Sequence, residues 1–382
     1  FEPLNKVLEG KEITKNDAYE VFSHSKYNPE KIFKIASNLR NHHKGKVVSF
    51  SKKAFFNIVN LCRDTCSYCT YKAEMGESKL SMMNIDDVKK LAKSAAKLKC
   101  IEALLVTGES PEQKYDEAAK WLRKNGFSST GEYLAHCSEL VLSEGLFPHT
   151  NAGNLNKSEM NDLKKTNVSM GLMLENSSHR LSEKGMAHHD APSKNPKARI
   201  KVLKNAGELK IPMTTGILAG IGENDHEIID SLFTIKSIHE KFANIQEVIL
   251  QNFEPKQDTK MKEHPSTPQQ YFKRVVAMAR IILPEMNIQI PPNLSPDNYN
   301  DFLDVGINDW GGISPITVDY VNPEFAWPQI NTLENKCTDQ GFELKARFPV
   351  YPKFIKMINP NLKEKIEKLS DDENYVKRKF WR

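Results

Sequence analysis

The sequence predicts an α/β protein built around one TIM-type (β/α) barrel, with a helical extension before the barrel and a charged tail after it. Short apolar segments alternate with segments of helix length along most of the 382 residues. About eight such repeats follow one another in a continuous series, which fits a barrel better than two separate domains. No convincing linker interrupts the series. An open doubly wound sheet is the alternative arrangement of the same elements.

The two ends of the chain differ in pattern from the middle. Within residues 17–24 and 29–42, apolar side chains recur at three- and four-residue spacing, which predicts amphipathic helices. We therefore expect a helical extension over 1–48, the barrel over 49–355 and a charged tail over 356–382. The tail is rich in Lys, Asp and Glu, so we expect a surface helix with a loose end.

The barrel strands are predicted from short segments rich in Val, Ile, Leu or Phe, as parallel strands buried on both faces require. These segments are 55–61, 101–107, 147–151, 168–175, 213–220, 245–252, 287–291 and, more weakly, 310–317. Between them, the apolar spacing predicts helices over 85–98, 116–125, 133–143, 197–209, 227–242 and 270–283. The polar stretch 177–196 has neither pattern and is expected to be a long loop.

Composition narrows the possible partners. The chain has 54 basic and 49 acidic residues, a net charge of +5, which gives no reason to expect nucleic acid or an anionic membrane. No apolar run approaches the ~20 residues of a membrane helix. Three of the six cysteines lie within eight residues and the others are scattered, which indicates a metal site rather than disulfides. We therefore expect a reducing, cytoplasmic location.

The clustered cysteines are Cys62, Cys66 and Cys69, directly after the first predicted strand. Loops in this position build the active site of a TIM barrel. A structural zinc ion or an electron-transfer cluster is normally held by four protein ligands. Three cysteines would leave one iron of a [4Fe–4S] cluster open, and that iron could chelate the amino and carboxylate groups of S-adenosylmethionine. Zinc is the alternative, and it would need a fourth ligand from elsewhere in the chain.

The spacing C-x3-C-x2-C, with Tyr68 before the last cysteine, resembles the signature of the radical S-adenosylmethionine superfamily. The resemblance implies a barrel of the radical S-adenosylmethionine kind. It also implies a [4Fe–4S] cluster that passes an electron to S-adenosylmethionine and releases a 5′-deoxyadenosyl radical. The cofactor supplies this chemistry, and the protein supplies position and exclusion of water.

Two further segments resemble cofactor-binding motifs of the superfamily. Residues 107–111 read TGESP, where the superfamily has a Gly-Gly-Glu-Pro-like turn, so Gly108 and Glu109 are implied to accept a hydrogen bond from the amino group of S-adenosylmethionine. Glu175 ends the fourth predicted strand, where superfamily members place a polar residue against the ribose hydroxyls. A carboxylate suits that position because it can accept from two hydroxyls.

The remaining cofactor contacts follow the fourth and fifth strands. Arg180 and Arg199 are candidates for the methionyl carboxylate, because a guanidinium group can pair with it bidentately. The position of Arg199 resembles the carboxylate-binding arginine of biotin-synthase-like members. Residues 216–223 resemble the adenine motif, in which Gly220 lets the ring approach the backbone and Ile221 packs on it.

A narrower resemblance is carried by PHTNAG (148–153), IPMTTGILAGIGE (211–223) and GINDWGGISPITVDYVNPEFAWP (306–328). These segments resemble the family of 7,8-didemethyl-8-hydroxy-5-deazariboflavin synthases, and in it the ring-closing radical subunit (subunit 1). The resemblance covers residues 49–351. It departs from the family at 151–154, which read NAGN where the family more usually has Asn-Pro-Gly followed by Val or Leu.

This resemblance implies a substrate and partners. A partner subunit would join a tyrosine-derived 4-hydroxybenzyl group to 5-amino-6-(D-ribitylamino)uracil, and a reductase or another donor would supply electrons. This chain would abstract hydrogen from that adduct. Radical cyclisation, loss of ammonia and oxidation would then give the deazaflavin chromophore of coenzyme F420.

Polar residues at the predicted strand ends are the candidates for substrate contacts. These substrate candidates are Asn151, Gln246, Gln251, Asn293 and Trp310. For the uracil and ribityl groups in particular, we expect contacts from Gln246, Glu247, Gln251, Asn293 and Asp309. For a general base, if one is needed, the candidates are Asp309, Glu247 and His149. His188, in the polar stretch 177–196, is a further candidate for a substrate or cofactor contact.

Three alternatives stay open at this point. The chain could be the partner subunit that makes the adduct, or a biotin-synthase-like sulfur inserter, although Cys100, Cys137 and Cys337 do not cluster as ligands of a second metal centre. It could also be a non-enzymatic iron–sulfur or zinc protein that binds nucleic acid. The near-neutral charge disfavours that class.

Overall fold

The computed structural model describes residues 2–382 and contains a closed barrel of eight parallel strands, as the sequence predicts. The eight barrel strands are β1 (Val47–Val59), β2 (Glu102–Thr107), β3 (Phe147–Asn151), β4 (Ser169–Gly171), β5 (Met213–Ala219), β6 (Ile245–Asn252), β7 (Asn287–Gln289) and β8 (Asp309–Ile313), and a ninth strand, β9 (Glu343–Ala346), is added beside β1. They pair in the order β2-β3-β4-β5-β6-β7-β8-β1-β9, and an added pairing between β1 and β2 closes the ring.

Strand β1 is longer than the sequence predicts because it pairs with three neighbouring strands. Its first residues pair with β9 (Val47 with Glu343) and its next with β8 (Ser49 with Asp309). The later part, from Lys53 onward, pairs with β2. The added strand β9 was missed by sequence reasoning, since four residues that include two charged side chains give almost no apolar signal.

Helices surround the barrel. They are α1 (Glu2–Leu8), α2 (Lys15–His24), α3 (Glu30–Lys44), α4 (Ile85–Lys97), α5 (Asp116–Lys124), α6 (Thr130–Ser143), α7 (Lys157–Leu163), α8 (Pro196–Glu208), α9 (Asp225–Phe242), α10 (Gln269–Ile282), α11 (Ile330–Asp339) and α12 (Pro360–Leu369). The six helices predicted between strands are confirmed within a few residues. Within residues 2–382, no helix has the length and apolar character needed to cross a membrane.

The end of the tail is packed against the barrel, which corrects the expectation of a loose end. After α12, the Val376 N–H donates to the Ala346 carbonyl oxygen (2.9 Å) beside β9. Trp381 is only 3% exposed, and its ring meets the Phe50 ring edge-on at 5.4 Å between centroids. One buried aromatic side chain thus anchors a segment whose composition is otherwise that of a solvated surface.

The segment after β9 closes the base of the barrel. The Pro349 carbonyl oxygen accepts hydrogen bonds from Ser169 Oγ (2.8 Å) and Gln246 Nε2 (2.9 Å), at the starts of β4 and β6. The Phe348 ring packs edge-on against Phe147 at the start of β3. The base is therefore filled by protein, and the cavities described below lie toward the carboxyl ends of the strands, where (β/α) barrels place their active sites.

Candidate active site

A cavity of about 240 Å³ lies at the carboxyl ends of the strands, and we call it the outer cavity. All three clustered cysteines line it, together with side chains from the ends of β2 to β6. Those used below are Tyr68, Glu109, Asn151, Glu175, Lys194, Arg199 and Gln251. The structure thus brings the metal candidates and most of the cofactor candidates to one place.

The cysteine loop is fixed against the turn after β2. Gly108 packs so closely on it that a Cβ there would lie 2.0 Å from the Leu61 carbonyl oxygen. This close approach lets the Glu109 N–H donate to Cys62 Sγ (3.2 Å) and the Arg63 N–H donate to the Glu109 carbonyl oxygen (2.9 Å). The Glu109 carboxylate accepts from the Asn154 N–H (3.0 Å), so this side chain holds the turn after β3.

A second segment, residues 187–194, lies along the other side of the cysteine loop, and we call it the strap. The Ser67 N–H donates to the Ala187 carbonyl oxygen (2.9 Å), and the Thr65 N–H donates to that of Asp190 (2.8 Å). Ser193 Oγ donates to the buried Asp64 carboxylate. The strap belongs to the long loop predicted over 177–196, so this loop is confirmed and forms one wall of the site.

The three cysteines suit an iron–sulfur cluster. None forms a disulfide, and all three line one cavity. Burial raises the pKa of the Cys62 thiol, and it raises that of Cys66 to about 12, so neither group ionises readily by itself. Bound iron would supply the positive charge that keeps such thiols deprotonated. The Glu109 N–H directed at Cys62 would stabilise the sulfur in its anionic form.

Glu175 has one committed and one free oxygen. Its Oε1 lies 2.6 Å from Lys194 Nζ on the strap, whereas its buried Oε2 has no hydrogen-bond partner among residues 2–382. Burial opposes ionisation, but Lys194 and Arg199 together hold the pKa of Glu175 below its usual value. A charged oxygen without a partner beside the cavity is suited to hydroxyl donors such as those of a ribose.

The two candidate arginines have different surroundings. Arg199 lines the outer cavity, where its Nε donates to the Ser193 carbonyl oxygen (3.1 Å) and its Nη1 to that of Met173 (3.0 Å). Arg180 instead forms an ion pair with Glu227 (2.6 Å) on α9, and it does not line the outer cavity. The geometry therefore favours Arg199 for the methionyl carboxylate.

The candidate adenine contacts lie at the end of β5. Gly220 has a φ of 95°, and a Cβ there would lie 2.1 Å from Thr267 Oγ1, so only glycine fits. Ile221 is buried in a small apolar cluster with Leu218 and Phe253. Leu218 and Phe253 line the outer cavity, whereas Ile221 does not. The sequence predicts the apolar adenine contact at Ile221, but the apolar side chains that reach the cavity are Leu218, three positions earlier, and Phe253.

Tyr68 lines the outer cavity and contacts His188 of the strap. Its hydroxyl lies 3.0 Å from His188 Nε2, and the two rings meet edge-on. Burial lowers the pKa of His188 to about 3, so this histidine is neutral near pH 7. His188 does not line the cavity and contacts Tyr68 instead, which corrects its assignment as a direct contact to substrate or cofactor.

A second cavity of about 160 Å³ lies next to the outer cavity, and we call it the inner cavity. It extends toward the base, where it reaches His149, Glu247 and Arg347. The two cavities have six lining residues in common: Val106, Asn151, Met173, Gln251, Val321 and Asn322. The cavity beside the cysteines therefore adjoins the barrel interior, and Asn151 and Gln251 are among the side chains that lie between the two cavities.

The three candidates for a general base lie at the closed end of the barrel, and two of them already accept hydrogen bonds from other side chains. Asp309 accepts from Arg347 Nε (2.7 Å), and Glu247 accepts from Arg347 Nη2 (3.0 Å) and from the Tyr351 hydroxyl (2.8 Å). These contacts commit both carboxylates to a buried ion-pair network, which corrects their assignment as free bases. His149 lines the inner cavity, and burial lowers its pKa to about 4.

Three of the five substrate candidates have polar side-chain groups bound to other protein groups, although Trp310 also lines the inner cavity. The Gln246 amide holds Pro349 and Tyr351 at the base. Asn293 Nδ2 donates to Asp319 (3.0 Å), and Trp310 Nε1 donates to Cys337 Sγ (3.3 Å) outside the barrel. Gln246 and Asn293 line neither cavity, so their assignment as substrate contacts is corrected to a structural role.

Several residues of the site gave no motif signal. Lys256 Nζ donates to the Val321 carbonyl oxygen and to Asn322 Oδ1, both at 2.6 Å, and so holds the loop after β8 over the barrel mouth. Asp64 and Ser193 fix the strap to the cysteine loop. Such residues make contacts across 65 to 129 positions of sequence, and spacing within one segment does not indicate them.

Comparison with known proteins agrees with this site. A model of the radical SAM superfamily matches residues 56–235. The 7,8-didemethyl-8-hydroxy-5-deazariboflavin synthase of Methanopyrus kandleri is 43% identical over 334 residues, covering 87% of this chain and 100% of that protein. That of Methanocaldococcus jannaschii is 43% identical over 320 residues, covering 84% and 88%. The FO synthase of Nocardia farcinica is 42% identical, covering 82% of this chain but 37% of that longer protein.

Solved structures share the fold at low identity. Methylornithine synthase superposes with a TM-score of 0.69 at 18% identity, covering 89% of this chain and 96% of that one. The FeFe-hydrogenase maturase HydG from Carboxydothermus hydrogenoformans gives 0.72 at 19% identity, covering 95% and 86%.

The sequence relatives, the shared barrel and the cysteine-lined cavity agree on the cofactors, which are a [4Fe–4S] cluster and S-adenosylmethionine. The protein is an enzyme with a small-molecule substrate. It belongs to the radical S-adenosylmethionine superfamily and, within it, to the 7,8-didemethyl-8-hydroxy-5-deazariboflavin synthase family.

Proposed function

We propose that this deazaflavin synthase acts as the ring-closing subunit. Its substrate is the adduct of a tyrosine-derived 4-hydroxybenzyl group with 5-amino-6-(D-ribitylamino)uracil, and ammonia is released as the ring closes. The observation that carries this proposal is the adjacency of the two cavities, which have six lining residues in common. It lets an elongated polar substrate extend from the cysteine loop into the barrel, past Asn151 and Gln251.

The bound cofactors would supply one-electron cleavage of S-adenosylmethionine and abstraction of hydrogen from the substrate. The residues of the chain position the reactants. Cys62, Cys66 and Cys69 would hold the cluster, while Glu175 and Arg199 would bind the ribose hydroxyls and methionyl carboxylate. The loop held by Lys256 covers the barrel mouth, which would keep water from reactive species.

The proposal includes two partners, an electron donor and the subunit that makes the adduct. The length of the Nocardia farcinica FO synthase supports the second. This chain aligns with 37% of that protein, which leaves enough sequence there for another catalytic unit. We propose that this chain receives the adduct from such a unit on a separate polypeptide.

The test is anaerobic reconstitution with iron and sulfide, followed by reduction and addition of S-adenosylmethionine and the adduct. We expect 5′-deoxyadenosine, ammonia and a fluorescent deazaflavin. The Cys66→Ala variant is the control and should form none of them. Formation of 5′-deoxyadenosine without deazaflavin would retain the cofactor chemistry and reject the proposed substrate.

A further inference from the structure

Two oppositely charged side chains, Lys53 on β1 and Glu102 on β2, face the inner cavity without pairing. They are partners in the register of the two strands, and both line the cavity. Lys53 is 9% exposed and Glu102 is 5% exposed. In the part of the chain that the structure describes, neither side chain makes an ion pair or a hydrogen bond.

The other charged groups around the inner cavity are satisfied. Arg347 is paired with Glu247 and with Asp309. Asp319 accepts from the N–H groups of Val321 (3.0 Å) and Asn322 (3.1 Å). A buried charge is costly unless it is paired and hydrogen-bonded. The open Lys53 and Glu102 therefore stand out as groups whose hydrogen bonds a ligand would complete.

An aromatic wall lies beside this pair. The Lys53 ammonium lies 4.2 Å from the centroid of the Phe55 ring. The Phe55 ring is nearly parallel to that of Trp327, with 6.0 Å between centroids and an angle of 18°. Both rings line the inner cavity. Flat apolar surfaces next to a donor and an acceptor are suited to a planar heterocycle.

We propose that Lys53 and Glu102 bind the pyrimidinedione ring of the substrate. The Lys53 ammonium donates to a ring carbonyl oxygen, and the Glu102 carboxylate accepts from the adjacent ring N–H. This inference rests on the proposed function, whose substrate contains that ring.

The competing part of the substrate is the 4-hydroxybenzyl group. A phenol presents a single oxygen, which would have to accept from Lys53 and donate to Glu102 at the same time, whereas the imide edge presents a separate acceptor and donor side by side that match the two side chains. A ribityl chain has many hydroxyls but no flat face for the aromatic wall.

The test measures binding to the cluster-loaded protein with three probes: 5-amino-6-(D-ribitylamino)uracil, 4-methylphenol and S-adenosylmethionine. Lys53→Met and Glu102→Gln should each raise the Kd of the uracil probe about tenfold or more, since each removes a charge-assisted hydrogen bond. The Kd of S-adenosylmethionine should not change. The control is Lys44→Met, because Lys44 donates to Asn287 at the base (2.9 Å), outside both cavities.

A single substitution leaves one buried charge without its neighbour, so the double variant Lys53→Met/Glu102→Gln is also measured. It should fold, retain its cluster and bind the uracil probe at least as weakly as the single variants. An unchanged Kd in the folded double variant would overturn the inference, as would an effect confined to 4-methylphenol. If one of these two results is obtained while the wild-type protein still forms deazaflavin, the inference about Lys53 and Glu102 fails and the proposed function stands. Absence of both deazaflavin formation and uracil binding in the wild type would refute both.

Discussion

Lys194 Nζ lies 2.6 Å from Glu175 Oε1, and this ion pair joins the strap to the chain just after β4. It commits one carboxylate oxygen to the protein and leaves Oε2 without a partner. Glu175 has a φ of 62°, a conformation that non-glycine residues rarely adopt. Backbone conformation and ion pair together fix the position of the free oxygen beside the outer cavity.

Replacing Lys194 with Met should weaken binding of S-adenosylmethionine by about tenfold, because Glu175 loses the partner that orients and ionises it. The measurement is the Kd of S-adenosylmethionine on cluster-loaded protein. Lys197→Met is the matched control, since Lys197 is an exposed lysine on the neighbouring helix α8. Equal affinities for both variants would show that the ion pair does not position Glu175 for the cofactor.

Substitution of Gly108 by Ala should prevent assembly of the cluster. The added Cβ would lie 2.0 Å from the Leu61 carbonyl oxygen and would push the turn after β2 away from the cysteine loop. Iron content per chain after anaerobic reconstitution is the measurement, and we expect a loss of most of the iron. Gly145→Ala is the control, because it strains the backbone at a φ of 90° but makes no clash, since no atom lies within 4 Å of the added methyl group. Full iron loading of the Gly108 variant would contradict the close packing described.

The ion-pair network at the barrel base should be a major contributor to stability. Arg347→Leu leaves the buried Asp309 and Glu247 carboxylates without their cation, which should lower the free energy of unfolding by about 3–5 kcal/mol. Denaturant unfolding measures this loss. Arg378→Leu breaks an exposed pair with Glu334 and should cost much less. Similar losses for the two variants would argue against the network.

His149 should make stability depend on pH. Burial lowers its pKa from 6.5 to about 4, so the unfolded chain binds a proton at a higher pH than the folded protein. Its contribution to stability is therefore present above about pH 6.5 and is lost as the pH falls toward 4. His149→Asn should reduce the slope of unfolding free energy against pH in this window by up to about 1.4 kcal/mol per pH unit.

The comparison for that slope is His42→Asn, which alters an exposed histidine on α3. Its slope should match that of the wild-type protein. A His149 variant with the wild-type slope would show that His149 binds its proton at the same pH in the folded protein and in the unfolded chain.

Sequence patterns predicted the elements that repeat locally and the residues that belong to a local motif. The bounds of β3 and β6 agree with the apolar segments 147–151 and 245–252. The cysteine loop, the turn at Gly108 and the glycine at 220 were found because each motif occupies a few consecutive positions. Each of these assignments rests on backbone geometry that nearby residues determine.

Assignments that depended on the direction of a side chain were less successful. Gln246 and Glu247 were both expected to bind substrate or protons, although successive strand residues face opposite sides. Glu247 lines the inner cavity and Gln246 faces the base segment. The alternation itself was a signal that could have separated them. The role of Arg347, which approaches from beyond β9, had no signal before the fold was known.

The central claim is that Cys62, Cys66 and Cys69 hold a four-iron cluster with one iron open to S-adenosylmethionine. Electron paramagnetic resonance of the reduced, reconstituted protein, recorded with and without S-adenosylmethionine, tests it most directly. We predict that addition of S-adenosylmethionine changes the spectrum. We also predict that the cluster signal is lost in each of the variants Cys62→Ala, Cys66→Ala and Cys69→Ala. The account would be contradicted if S-adenosylmethionine left the spectrum unchanged because a side chain already held the fourth iron.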